Sequence, residues 1–217
     1  MPNRTTLTVS LLLQATRAAA VTLLLAGLAY PLLATGLAKL LFSWRASGSL
    51  VEDEKGRVVG SELVGQAFTA PGYLWPRPSA TGDMGWDPTA SSGSNLGPTS
   101  AKLRARVTAE VERLRRENPA AVGPVPAELV TTSGSGLDPH LSPAAARWQA
   151  PRLAAARGMS LDRVLAVIDE SVEWRDLGVL GEPRVNVLLL NLALDRRFGA
   201  PARTAPPGAD GAGPTGR

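Results

Sequence analysis

AAAVTLLLAGLAYPLLATGLA, residues 18–38, is a run of 21 positions without a charged side chain, bounded by Arg17 and Lys39. At about 1.5 Å of rise per residue, a helix of that length spans about 30 Å, the hydrocarbon thickness of a bilayer. The run predicts one transmembrane helix over residues 18–42. It is longer than the 7–15 apolar residues of a cleaved signal, although Gly36 and Ala38 would offer a small-residue cleavage site. Residues 1–17 form a short N-terminal segment whose apolar stretch, Leu7 to Leu13, either rides along the interface or extends the helix. Pro31 removes one backbone donor inside the span, which a membrane helix tolerates and where it can kink. Trp44 lies just past the far end, where its ring suits the headgroup zone. Arg4 and Arg17 on one side are balanced by Lys39 and Arg45 on the other, so charge alone leans only weakly to an inside N-terminus.

The chain beyond the anchor has the size of one ordinary domain, placed at residues 48–198. There is no cysteine, which removes disulfides, thiolate metal ligands and thiol nucleophiles together. The net charge of +4 is modest, and between Arg104 and Glu117 both signs alternate, as on a solvated helix face; no nucleic-acid surface is expected.

Short apolar groups from Gly48 to Thr69, with Gly56 as a turn residue, predict a β-hairpin or small sheet. Thr69 to Thr99 has no period and many prolines and glycines, which predicts a long irregular segment serving as a functional surface or left mobile; Tyr73, Trp75 and Trp86 would gain by packing on the core. Leu103, Val107, Val111 and Leu114 form one stripe of a helix from Ala101 to Arg116, capped by Ser100. Leu129 to Thr132 reads as a short strand. Ser142-Pro143 starts a helix that carries Trp148, is punctuated by Pro151 and stops at Gly158. Ser160 then caps a helix that buries Leu161, Val164, Leu165, Ile168 and Val172. Val185 to Leu194 reads as a buried helix, and the Ala/Gly/Pro-rich tail, 199–217, as disordered. The fold class expected is therefore a mixed α/β (α+β) soluble domain attached to one N-terminal transmembrane helix.

The densest polar cluster runs from Thr131 to His140 and contains Ser133, Gly134, Ser135, Gly136, Asp138 and His140. Its glycines permit backbone shapes closed to other residues, and its hydroxyls and carboxylate can bind a polar group. A Ser135, Asp138, His140 hydrolase triad is one reading, but the three lie close along the chain and Ser135 lacks the G-x-S-x-G elbow. His140 is the only histidine, so a zinc site would rest on carboxylates, and no G-x-x-x-x-G-K-[ST] loop is present. A second loop, residues 77–98, offers Arg77, Ser79, Ser94 and Asn95, the last two suited to bonding backbone groups in turns. Asn186 and Asn191 are expected to satisfy buried backbone near the last helix.

Six segments occur in order behind the anchor: Gly48-Ser49-Leu50; residues 59–68; Trp75-Pro76-Arg77-Pro78-Ser79-Ala80; Ser92 to Pro98; Ser133 to Pro143; and Arg184-Val185-Asn186-Val187-Leu188 with Asn191 to Asp195. With them the chain resembles, from Leu23 to Asp195, the C subunit of the bacterial potassium-importing P-type ATPase, the Kdp complex. Ser91-Ser92-Gly93-Ser94 departs from that family's usual paired glycines, Trp75 stands where Phe is common, and the tail from Arg203 exceeds the family core.

The resemblance implies a single-pass subunit of the bacterial cell membrane, with a cytoplasmic N-terminus and an extracytoplasmic domain. Its implied partners are the potassium-translocating A subunit, the ATP-hydrolysing B subunit, the small F subunit and membrane lipid. It further implies a non-catalytic accessory role, assembling or stabilising the complex and aiding ion or nucleotide use. ATP and potassium are then used by the complex, with no cofactor assigned to this chain, whose sequence has no Asp-Lys-Thr-Gly phosphorylation motif. Arg77, Ser79, Ser94, Asn95, the 133–140 loop, Arg184, Asn186 and Asn191 stand as candidate structural or partner-contact positions. The alternatives are a membrane-tethered serine hydrolase using the Ser135 loop and a free-standing extracytoplasmic binding module.

Overall fold

A computed structural model describes residues 4–82 and 85–201, which divide into two units, Met1–Leu50 and Val51–Arg217. In the first, α1 (Arg4–Leu24), a π-helical turn (Leu25–Ala29) and α2 (Tyr30–Leu41) succeed one another without a break. Residues 4–17 thus extend the predicted span. The stretch Thr8–Leu41, 34 residues, is long and apolar enough to cross a membrane.

The π turn has a local cause. Pro31 has no N–H, and its ring crowds the carbonyl four residues back, so the preceding turn widens and the Tyr30 N–H bonds to Leu25 O. Past the anchor comes the single turn α3 (Ser43–Ala46), and the Trp44 indole N–H donates to Leu50 O at 2.8 Å.

The second unit opens with the expected hairpin: β1 (Leu50–Glu52) pairs with β2 (Val58–Ser61), with Gly56 at φ 71 in the turn. The next regular element is α4 (Ala101–Glu117), whose cap is Ser100, accepting from Leu103 N at 3.3 Å. The irregular segment between them is anchored in the core, with Leu74 fully buried and Trp75 nearly so.

A 3₁₀ turn (Ala127–Leu129) replaces the predicted strand at 129–132. Val130 N bonds back to Ala127 O, as does the Thr131 hydroxyl, and this local bonding curls the backbone away from any ladder.

A second, three-stranded sheet is antiparallel, in the order β3-β5-β4, with β3 (His140–Leu141), β4 (Val172–Glu173) and β5 (Arg184–Asn186). His140 therefore sits in a strand, two residues before the cap of the next helix. Residues 185–186, read from sequence as helix, also belong to a strand; the last helix, α7 (Val187–Phe198), begins only after Asn186. Central pairing decides this: Val185 lies opposite both Leu141 and Val172, and the Asn186 carboxamide accepts from Leu189 N, capping α7.

Helices α5 (Pro143–Arg157) and α6 (Leu161–Glu170) pack together, and α6 packs on α7. Ser142 caps α5 as expected, and Gly158 ends it in the left-handed region at φ 63. Pro151 does not interrupt α5, because Ala150, Arg152 and Leu153 around it are buried and hold the turn in place. Ser160 occupies the cap position of α6 without a side-chain bond. Val164, Val167 and Ile168 form that helix's buried face, whereas Leu161 is exposed and Val172 has passed into β4. From residue 202 the predicted disordered tail lies outside the described residues.

Leu190 is fully buried where α7 meets the core, so Leu190→Ala should destabilise the folded chain by about 2–5 kcal/mol. Equilibrium denaturation of the detergent-solubilised protein measures this, and a change below about 0.5 kcal/mol would contradict the packing described.

Candidate functional site

The two polar loops singled out in the sequence meet in the structure. Arg77 donates from Nη1 to Asp138 Oδ2 at 3.1 Å and from Nη2 to Thr132 O at 3.3 Å. The Ser79 hydroxyl donates to Gly136 O at 2.7 Å and accepts from Trp86 N at 2.8 Å. Ser91 Oγ reaches Ser135 O at 3.1 Å, and the Thr81 hydroxyl accepts from Asp87 N at 2.8 Å. These bonds hold Trp86 at φ 53, a backbone shape that a bulky residue keeps only when its surroundings enforce it.

The contact is close enough to dictate glycine. Gly136 has φ 68, and a Cβ there would lie 2.5 Å from both Ser92 O and Thr81 Cγ2. Gly93 faces Gly134 O, 3.0 Å from where its own Cβ would be. Gly134 itself is not in the left-handed region, so only one of the two glycines of the 133–136 loop is required by backbone conformation. Asn95 takes φ 51, but neither its side chain nor that of Ser94 hydrogen-bonds among the described residues, contrary to the turn-bonding role expected of them.

The exit of the clasp is tied to the sheet. His140 pairs with Asn186, Val187 N donates to Pro139 O at 2.9 Å, and the Asn186 side chain donates to Glu62 O at 2.7 Å. Gly65 N donates to Leu137 O at 2.7 Å. Arg184 lies apart from the clasp, paired with Glu173 at 2.9 Å across β4 and β5.

Burial raises the Asp138 pKa, but hydrogen bonds from the His140 ring and backbone and the charge of Arg77 outweigh it, holding the carboxyl below its ordinary value. The Ser135 hydroxyl accepts from Leu137 N at 3.2 Å and faces Ser133 Oγ at 3.4 Å. No bond joins Ser135 to His140 among the described residues, so the clasp lacks the nucleophile-to-base contact of a triad. Among the described residues no group of three or more His, Asp or Glu side chains is placed to hold a metal ion.

Beneath the clasp lie two residues that sequence reading missed, Gln149 and Arg152, beside Asn191, which the sequence offered for satisfying buried backbone. The Gln149 amide brackets Trp75, accepting from its N–H and donating to its carbonyl, both at 3.0 Å. Asn191 does the same for Leu74, at 2.7 and 3.0 Å. Arg152 donates to Pro71 O, to Tyr73 O at 3.0 Å and to Gln149 Oε1 at 2.8 Å, while its guanidinium stacks 3.5 Å from the Trp75 ring centre. Burial pulls Arg152 down to about 9, which still leaves it charged at neutral pH. The signal available in sequence was a Gln and an Arg placed three apart in an otherwise Ala-rich helix.

Next to Trp75 and Trp86 opens a cleft of about 450 Å³, walled also by Phe68, Pro78, Arg106 and Arg113. Arg113 is held by Glu110 and Glu117, whereas Nε and Nη2 of Arg106 are buried without an acceptor among the described residues.

The family described as "KdpC: K+-transporting ATPase, c chain" matches residues 12–196, which takes in most of the anchor and the whole clasp. This chain belongs to the KdpC family. It is 67% identical over 202 residues to the potassium-transporting ATPase KdpC subunit of Myxococcus xanthus, covering 93% of this chain and 95% of that one. The KdpC subunit of Rhodospirillum rubrum is 56% identical over 175 residues, 81% of this chain and 90% of that one. For Methylococcus capsulatus the identity is 54% over 172 residues, 79% and 90% of the two chains. These matches agree with the resemblance carried by the six ordered segments, of which the clasp accounts for three.

Two outcomes test the clasp. Gly136→Val should collapse folded yield, because the added side chain meets a carbonyl and a methyl at once, while Ser135→Ala should leave the yield near that of the parent. Equal yields of the two variants would refute the close contact. The lowered Asp138 pKa adds a pH signature. A depressed folded value means stability that is present above the unfolded pKa of 3.8 and is lost as pH falls through the folded one. The stability gap between parent and Asp138→Asn should be widest near about pH 6 and shrink below about pH 4. A gap constant with pH would show that the charge is not involved.

Proposed function

We propose that this chain is a non-catalytic accessory subunit of an ATP-driven potassium importer. In this role it assembles or stabilises the complex from the extracytoplasmic side of the bacterial membrane, with its N-terminus in the cytoplasm. The observation that carries the reading is the family match, because it runs through anchor and domain together and covers nearly the full length of relatives that are named as subunits of a potassium-transporting ATPase.

The geometry supports the same reading. The clasp turns its polar groups on one another, as Arg77 does on Asp138 and Ser79 on Gly136 O, so it suits a shape-holding surface better than a reaction centre. A single apolar helix tethers that surface to a membrane. The partners proposed are the potassium-translocating, ATP-hydrolysing and small subunits of the complex; ATP and potassium are handled by the assembled complex, and no cofactor is assigned to this chain.

Affinity purification of the tagged chain from its native membrane should recover the other transporter chains in fixed ratio, with potassium-stimulated ATP hydrolysis. Normal assembly and transport in cells lacking the chain would refute the reading. A reporter fused after Ala202 should be active only outside the cytoplasmic membrane, and activity inside would reverse the orientation.

A further inference from the structure

The connection between β4 and β5 carries an apolar tip that the clasp does not use. Trp174, Leu177, Val179 and Leu180 are 74%, 91%, 73% and 58% exposed. No other seven-residue stretch of the second unit exposes four large apolar side chains among the described residues.

The tip is not a loose loop. Asp176 and Leu180 exchange backbone bonds at 2.9 Å in both directions, Gly178 N bonds to Arg175 O at 3.0 Å, and Val179 N bonds to Asp176 O at 3.2 Å. The two central residues, Leu177 and Gly178, take φ 53 and 77. Tight turns with two such residues favour Asn, Asp or Gly, and an apolar L residue there is strained. Leu177 therefore combines a conformational cost with an apolar side chain left almost fully in water. Local stability would select the opposite on both counts, which points to a use outside the chain.

The collar around the tip indicates the kind of surface it meets. Arg175 pairs with Glu182 at 2.7 Å, and Arg184 pairs with Glu173 at 2.9 Å and with Asp176 at 4.0 Å. Both guanidiniums already have carboxylate partners, so covering the collar leaves no cation stranded. Three carboxylates against two guanidiniums leave one negative charge in excess. That excess opposes an anionic lipid surface and disfavours two tips meeting each other, while it suits a basic rim.

We propose that the tip, Trp174 to Glu182, is a preorganised docking knob that seats in an apolar recess with a basic rim on another protein chain of the transporter. The inference rests on the accessory-subunit reading and names the surface through which that subunit binds. A rigid backbone suits the purpose, because binding then orders little besides side chains, and the exposed Trp174 is of a type enriched at interface hot spots.

Leu177→Asn combined with Val179→Thr separates docking from folding, since Asn accepts positive φ and Thr keeps the β-branched shape of Val at a turn position. In the full-length chain, the melting temperature should stay equal or rise, while recovery of the other transporter chains falls about tenfold or more. Recovery equal to that of the parent would overturn the proposal while leaving the accessory-subunit reading intact. If the unaltered chain itself recovers no partner, the parent reading fails and this one fails with it. Because the chain has no cysteine, Leu177→Cys gives one labelling site for an environment-sensitive dye. A blue shift confined to the purified complex supports docking on protein. The same shift in vesicles holding this chain alone would assign the tip to lipid, and no shift in the complex would leave it in water; either result overturns the proposal.

Discussion

Two side-chain amides replace a β-strand at the centre of this domain. Leu74 and Trp75 run through the core with backbone donors and acceptors that a sheet would ordinarily satisfy; Asn191 and Gln149 each close a two-bond ring around one of them instead. An unsatisfied buried peptide group costs about 1–3 kcal/mol, so these four bonds decide whether the segment can enter the core at all. Arg152 completes the arrangement by taking two further carbonyls and stacking on the Trp75 ring. The prolines at 71, 76 and 78, which have no N–H to donate, disfavour a longer strand ladder here.

The clasp depends on that anchorage. With Trp75 held, Arg77 and Ser79 emerge at fixed positions and can bond to Asp138 and Gly136 O on the second loop. The second loop is held in turn by Gly65 and by the start of β3, so segments far apart in sequence share one surface without an extended sheet between them. Few of these groups are left with bonds to offer a substrate. Such a construction holds one shape, and the β4–β5 tip is likewise held by backbone bonds, with its apolar side chains in water.

Local chemistry made much of the architecture legible. Ser100 and Ser142-Pro143 announced two helix starts, Gly158 a helix end, and Gly56 the hairpin turn, because caps and turns are settled by a residue and its immediate neighbours. Residues 129–132 and 185–186 were misread for the complementary reason. Thr131 had a local acceptor in Ala127 O that outcompeted a ladder, and Val185 had strand partners at 141 and 172 that no nearby residue reveals. Within the candidate site, the residues rich in hydroxyl, carboxylate or glycine were found, as was Asn191 inside α7, whereas Gln149 and Arg152 inside α5 were not. Arg184 was picked out with the loops, yet its bonds lie across the sheet.

Sequence by itself determined the single apolar span, the helix starts, the family and the two polar loops, since each is written in contiguous residues whose chemistry is fixed before folding. Only the tertiary structure decided that the two loops face each other, that Gly136 has no room for a side chain, and that Gln149 and Asn191 stand in for a strand. The physical reason is separation. Residue 75 meets residue 149, and residue 74 meets residue 191, only after three helices and a short sheet have packed. A hydrogen bond across that distance leaves no periodicity or spacing for a sequence to display.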